Sequence, residues 1–312
     1  MHLTSAKTKN LSNLSKAILK TLSFFHIYRL PITAQKIWQL LYKYEATLSE
    51  VERELEELVV RKLVCKNEHL YSIKHFDTWT YLINREEIAQ RWDRVKKYYW
   101  LLSSIPFIEH VSVINSMAMG NADSESDIDF FVITKPNRLY FVRTMVIILF
   151  KLFGVYKTRK KINKQFCFGF YITSDHMSLQ DLLLPGEDPY MVFWLGTIVP
   201  ILGVQTYEKF IRDNFWIYSF LPNFRPMQRL GQIRKYRQAS VIKNLLHSLL
   251  NIPAAVLEPF LRRIHINHTF KLPENHWKTS STIANSKMLK LHALDPRKDL
   301  RKAWQDILQS LG

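Results

Sequence analysis

The sequence predicts a mixed α/β protein. Within the first quarter of the chain, three short amphipathic stretches precede two short strand-like runs. In the centre, strand-like runs alternate with helical ones, which is the pattern of a mixed sheet with flanking helices. The last part of the chain is basic and helical in spacing. We therefore expect an N-terminal helical domain with a β-hairpin, a linker helix, a central α/β domain and a helical C-terminal region, with boundaries at 1–74, 75–105, 106–225 and 226–312.

Length and composition favour folded domains in a reducing compartment. A chain of 312 residues is long enough for two or three cores, and 47% hydrophobic with 23% charged residues is typical of globular proteins. Cys65 and Cys167 are too few for a disulfide framework or a zinc site. Lysines interrupt the apolar residues of the N-terminus, so no signal peptide is expected. These features predict a cytoplasmic protein.

Residues 1–74 contain the first three helices. Residues 12–29 repeat apolar positions at helical spacing, and Pro31 and Thr33 start the second helix. Ser49 is expected to open the third helix, and two short strands follow it. The stretch resembles winged-helix domains, which implies DNA binding. However, the third helix carries five glutamates that repel phosphate, so protein contact or scaffolding is favoured over DNA reading.

Three apolar segments raise the question of membrane contact. The segments 139–155 and 191–204 are interrupted by charge or too short to span a bilayer, so buried core helices are expected. The segment 244–266 differs, because an apolar face ending in two arginines within a basic region is also compatible with lying on an anionic bilayer surface.

Asp127 and Asp129 are the strongest candidate site. They begin a strand-like run, "DIDFFVIT", in which a period of two places both side chains on one face. Two buried carboxylates repel each other and need a cation. Hard oxygen ligands suit Mg²⁺, which shares its remaining positions with water and substrate phosphates. The pair therefore predicts a magnesium site for phosphoryl or nucleotidyl transfer.

The turn before the acid pair suits a phosphate. A strand ends at Asn115 and Ser116 and turns through "MAMG" to Gly120, which presents backbone N–H groups and a hydroxyl to an anion. Here the sequence resembles the nucleotidyltransferase fold superfamily. The matching residues are Ser116, Gly120, Ser126, Asp127 and Asp129.

The resemblance implies a reaction and a set of roles. Mg²⁺ on Asp127 and Asp129 would hold a nucleoside triphosphate, and an acceptor hydroxyl would attack its α-phosphate. The nucleotide-binding residues would be Asn115, Ser116, Gly120 and Ser126. Neither the acceptor nor the base is named by the sequence. The calcium-loop alternative is disfavoured because Ile128 and Thr134 stand where that loop needs glycine and glutamate.

Two departures from the superfamily pattern favour a second hypothesis. Asn115 stands where glycine is usual, and its side chain would crowd a triphosphate. The later strand "QFCFGFYIT" lacks the third carboxylate of active members, and Asp175 just beyond it is the nearest substitute. A catalytically degenerate regulatory or scaffold protein is the alternative. Cys167 in that strand is interpreted as a small buried hydrophobe.

The basic residues suggest further contacts. Residues 226–312 hold 15 Lys and Arg against 5 Asp and Glu, which favours a polyanion such as RNA, DNA or anionic lipid. Lys135, just past the acid strand, is a candidate for steadying phosphate charge. The expected polyanion contact is a helical cluster of Arg229, Arg234, Lys235 and Arg237.

Overall fold

The structure is a computed structural model, and it describes residues 11–226, 240–272, 281–291 and 294–311. Over these residues the protein is mixed α/β, as the sequence predicts. The basic cluster expected to contact a polyanion, Arg229 to Arg237, lies outside the described residues.

The N-terminal unit packs three helices against a small antiparallel sheet of order β1-β3-β2. Its third helix begins two residues earlier than expected, because Thr47 rather than Ser49 caps it. The Thr47 hydroxyl accepts from the Glu50 amide at 3.3 Å, and the Glu50 carboxylate accepts from the Thr47 amide at 2.7 Å. The elements are α1 (Asn13–Ile27), β1 (Ile32–Thr33), α2 (Ala34–Gln39), α3 (Leu48–Val60), β2 (Cys65–Asn67) and β3 (Leu70–Ser72).

A long helix leads from this unit to a mixed sheet of order β7-β4-β5-β6-β9-β8. Strands β5 and β6 run parallel, and the other neighbouring pairs are antiparallel. The elements up to residue 226 are α4 (Thr78–Ser104), β4 (Ile108–Val113), α5 (Asn115–Met119), β5 (Ile128–Thr134), α6 (Leu139–Leu152), β6 (Phe166–Thr173), α7 (Pro189–Thr197), β7 (Val199–Leu202), α8 (Val204–Asp213) and α9 (Ile217–Phe220).

The C-terminal region is not only helical. Between its helices α10 (Ser240–Lys271) and α11 (Arg297–Leu311) it adds strands β8 (Ile283–Ala284) and β9 (Met288–Lys290) to the central sheet. Strand β9 pairs with β6, so the region completes the α/β core.

The apolar segment 191–204 also differs from the expected buried helix. Its first half continues α7, whereas its second half is the buried edge strand β7. Pro200 fits there because an edge strand leaves one row of its N–H groups unpaired. Among the described residues, no helix has the length and apolar character needed to cross a bilayer.

Alternation along β5 separates two cores on the two faces of the sheet. Phe131 and Ile133 pack in one core with α1, α7 and α11. Phe130 and Val132 pack in the other core with α4, α6 and α10. The N-terminal unit therefore shares its core with the central sheet, and the site lies where β5 begins, between these layers.

Candidate active site

The acid pair lies at the start of β5. Asp127 immediately precedes the strand, and Asp129 is its second residue. Both side chains converge on one point, as the period of two predicts. Cys167 of the parallel strand β6 is the direct neighbour of Asp129. Single ligand atoms of these three side chains all lie within 4.8 Å of one another.

Asp129 lies at the bottom of this cluster, where its surroundings destabilise the charged form of the carboxyl group. Burial, followed by repulsion from Asp127, raises its pKa to about 6. Hydrogen bonds from the Asn115 side chain and the Cys167 thiol act in the opposite direction. The Asn115 Nδ2 atom donates to Asp129 Oδ2 at 2.9 Å. A cation placed between the two carboxylates would relieve the repulsion.

Lys157 already pairs with the other carboxylate. Its Nζ atom lies 2.5 Å from Asp127 Oδ2, and the lysine is half-buried. Burial lowers the pKa of Lys157, but the neighbouring Cys167, Asp127 and Asp129 more than offset this, and the net pKa is raised. Lys157 is therefore a built-in positive charge in the cluster, and the sequence interpretation did not include it.

The turn before β5 contains two residues with positive φ. Asn115 has φ +57°, a left-handed conformation that asparagine tolerates, and Gly120 ends α5 at φ +99°. The Asn115 side chain, which is expected from the sequence to crowd a triphosphate, is held by two hydrogen bonds within the protein. Its Oδ1 accepts from Trp194 Nε1 at 3.1 Å while its Nδ2 donates to Asp129. Asn115 thus positions the acid, and Ser116 beside it is partly exposed.

Ser126 closes the loop that leads into the acid pair. Its hydroxyl donates to Asp123 Oδ1 at 2.7 Å, so it stabilises the loop. Arg91 of α4 is fully buried and stabilises the same loop. Its guanidinium donates to the carbonyl oxygens of Asp123 at 2.5 Å and Ser126 at 2.7 Å.

The sequence pattern predicts a linker helix over 75–105 and gives Arg91 no role. A signal was present, since the buried positions Ile88, Arg91 and Val95 recur at helical spacing. A charged residue within such an apolar stripe needs specific partners. Those partners are the carbonyl oxygens of the acid loop.

The structure does not bring Asp175 to the acid pair. Strands β5 and β6 are parallel, with Asp129 opposite Cys167 and Thr134 opposite Thr173. Asp175 is exposed beyond the far end of β6, and Lys135 follows the same end of β5. Among the described residues, the third potential ligand beside the two acids is Cys167. The interpretation of Cys167 as a simple core residue is therefore corrected, because its thiol faces the two acids.

A cleft of about 670 Å³ opens in front of the cluster. The segment 156–159, which follows α6, supplies one of its walls, and Leu291 contributes from beside β9. Lys157 and Arg159 on this wall place positive charge beside the acid pair. The polar and charged residues that line the cleft are Asn115, Asp129, Tyr156, Lys157, Thr158, Arg159 and Cys167.

The donor set fits magnesium in part. Asp127 and Asp129 supply the hard oxygen ligands that Mg²⁺ prefers, and the open cleft leaves room for water and phosphate oxygens at its other positions. The Cys167 thiol is a soft ligand that Mg²⁺ does not favour. The residues present could hold Mg²⁺ through two carboxylates.

Comparisons of the chain with protein-family models, with curated proteins and with solved structures found no match. The resemblance to the nucleotidyltransferase superfamily therefore depends on the motif from Ser116 to Asp129. A functional conclusion has to be argued from the geometry of the site.

Proposed function

We propose that this protein is a cytoplasmic, Mg²⁺-dependent nucleotidyltransferase, which transfers a nucleoside monophosphate from a nucleoside triphosphate to an acceptor hydroxyl. The observation that carries the proposal is the convergence of Asp127 and Asp129 beside a cleft lined by Lys157 and Arg159. Carboxylates that bind a metal and cations that bind phosphate are the two requirements of such a reaction. In this proposal the central sheet and its helices form a nucleotidyltransferase-like domain, and the N-terminal unit is a winged helix.

The residues of the cleft have separate tasks in this mechanism. Asp127 and Asp129 would hold Mg²⁺, which neutralises phosphate charge when bound. The Lys157 ammonium, which pairs with Asp127 and lines the cleft, would be placed to hold a phosphate oxygen. Ser116 is partly exposed and follows Asn115 of the cleft wall, and its hydroxyl would contact the β- and γ-phosphates. The acceptor hydroxyl attacks the α-phosphorus, its proton passes to solvent, and the bond to pyrophosphate breaks.

The test is nucleoside triphosphate binding measured by calorimetry with and without Mg²⁺. The wild type should bind, and the double variant Asp127→Asn/Asp129→Asn should bind at least about tenfold more weakly, which is 1.4 kcal/mol. Glu125→Gln is the matched control, because Glu125 is exposed in the same loop. The proposal fails if the wild type binds no triphosphate, or if the double variant and the control bind equally.

A second candidate function is a catalytically degenerate regulatory or scaffold protein. Cys167 favours it, because a thiol stands where a third carboxylate would be expected to complete the metal site. The Lys157–Asp127 ion pair favours it as well, since it neutralises one acid without a metal. Transfer of an α-phosphate-labelled nucleotide that is abolished by Asp129→Asn would exclude this function. Magnesium-independent binding without transfer would support it.

The N-terminal winged helix is proposed to contact protein rather than DNA. The exposed face of α3 carries Glu52, Glu56 and Glu57 against Arg53. Acidic residues in this position repel DNA phosphates. In a gel-shift assay of the full chain with random duplex DNA, Glu52→Gln/Glu56→Gln should bind at least as tightly as the wild type, because the substitutions remove repulsion and no DNA contact. Weaker binding by the variant would show that α3 contacts DNA.

A further inference from the structure

Helix α10 exposes a continuous row of large apolar side chains. Their spacing of three or four residues places them on one stripe of the helix, about 22 Å long at 1.5 Å per residue. We call this stripe the apolar ridge. Its members and their exposed fractions are Leu245 60%, Leu249 64%, Ile252 75%, Val256 71% and Phe260 63%.

The ridge cannot turn inward, because the opposite side of α10 is fixed to the protein. Ala254 and Glu258 on that side are buried. The Glu258 carboxylate accepts from the first amides of α6, those of Tyr140 at 2.9 Å and Phe141 at 2.7 Å. A negative charge at a helix N-terminus is stabilising there. The ridge is therefore a fixed surface feature.

Single exposed apolar residues are ordinary, but an exposed contiguous row marks an interaction site. All exposed residues of α10 from Asn244 to Phe260 are uncharged. The charged residue in this range, Glu258, is buried. The charged residues that follow the ridge, Arg262, Arg263 and Lys271, are all basic. Arg263 is exposed in line with the ridge, seven residues after Val256.

We propose that the apolar ridge docks this protein onto the surface of an anionic lipid bilayer, without crossing it. The ridge would enter the boundary between headgroups and acyl chains, and Arg263 with Lys271 would pair with lipid phosphates. This is an activity separate from nucleotide chemistry at Asp127 and Asp129.

Charge favours lipid over the other occupants. A second copy of the chain would bring together two molecules of net charge +17, and the ridge offers no exposed acidic side chain to offset their repulsion. The phosphates of a nucleic acid would pair with the arginines, but the apolar ridge has no charged donors to bind further phosphates. An anionic bilayer offers acyl chains to the apolar ridge and phosphates to the basic residues.

The test is co-sedimentation of the full chain with phosphatidylcholine vesicles that contain about 30% phosphatidylserine, compared with neutral vesicles. The wild type should bind the anionic vesicles and retain part of its binding in high salt, because the ridge contributes an apolar component. Leu249→Glu/Ile252→Glu should weaken binding at least tenfold. Val60→Glu is the matched control, because Val60 is 81% exposed on α3, and it should leave binding unchanged.

Circular dichroism of each variant verifies that it is folded, and sedimentation velocity in the absence of lipid tests the alternative occupant. No binding of the wild type to anionic vesicles overturns the proposal, as does equal binding by the ridge variant. A wild-type dimer that Leu249→Glu/Ile252→Glu dissociates also overturns it and assigns the ridge to self-association. Triphosphate binding, measured separately, is expected to be unchanged in the ridge variant.

Discussion

At the scale of single residues, the site is set by which side chains face one another across β5 and β6. The period of a strand places Asp127 and Asp129 together from sequence alone. It cannot give the residue on the neighbouring strand, because that depends on the direction and register of pairing. A parallel pairing in which Asp129 lies beside Cys167 brings a thiol to the acids and leaves Asp175 at the other end.

Cys167→Asp should strengthen Mg²⁺ binding by about tenfold or more, because it adds a hard oxygen ligand next to two others. Calorimetric titration of Mg²⁺ at pH 8 measures the effect. Cys167→Ser, which changes the thiol without adding charge, is the control and should bind Mg²⁺ within about threefold of the wild type. Equal affinity of the Asp and Ser variants would show that residue 167 does not reach the metal.

His110 should make folding sensitive to mild acid. It is fully buried, with Nδ1 donating to the Gly203 carbonyl at 3.1 Å and Nε2 accepting from Ser112 at 2.6 Å. Burial lowers its pKa from 6.5 to about 4. As the pH falls from 6.5 to 4, the unfolded chain gains a proton that the folded chain cannot accept.

This proton difference should lower the free energy of unfolding by about 3 kcal/mol across that pH window. Urea unfolding at several pH values, for the wild type and His110→Gln, checks the result. The wild-type curve should fall more steeply than that of the variant between pH 6.5 and 4. Parallel curves would contradict the assignment.

At the scale of elements, α4 connects the N-terminal unit to the sheet and also supports the acid loop. Sequence periodicity predicted the helix and its end near residue 105. It did not predict that Arg91 reaches from that helix to carbonyl oxygens 32 and 35 residues later, because hydrogen bonds to backbone atoms leave no pattern in the sequence. The helix therefore positions the site without touching it.

Arg91→Met should destabilise the fold by about 3 kcal/mol, since it leaves buried carbonyl oxygens without a donor. It should also raise proteolysis within residues 121–127 and weaken triphosphate binding. Arg85→Met is the control, because Arg85 is exposed on the same helix, and it should change stability by about 0.5 kcal/mol or less. Thermal unfolding and limited proteolysis of both variants measure the difference, and similar behaviour would contradict it.

At the scale of the whole molecule, the last 30 residues complete a core that begins in the first 30. Trp304 of α11 is 1% exposed, and its indole N–H donates to the Lys20 carbonyl oxygen at 2.8 Å. Strand β9 covers the edge of β6. The sequence predicted the central strands and their helices because their apolar runs are long. It did not predict the joining of the two chain ends, since "MLK" is too short to stand out as a strand.

Trp304→Ala should lower the free energy of unfolding by about 3–5 kcal/mol, because it removes a large buried ring and leaves a cavity. The loss should appear as a single transition for the whole chain, since α1 and the central sheet share that core. Gln305→Ala, at an exposed neighbouring position, is the control. A separate early transition confined to the C-terminal region would show instead that this region folds independently.

The joining of the chain ends also affects how the protein is made. Lys20 and Trp304 are 284 residues apart, and a ribosome adding about 5–20 residues per second needs about 15–60 s to synthesise the chain between them. During that time α1 has emerged but lacks the helix that covers it, and β6 lacks β9. The nascent chain therefore has apolar surface exposed during this interval, and the packing of α1 is completed only after α11 leaves the ribosome.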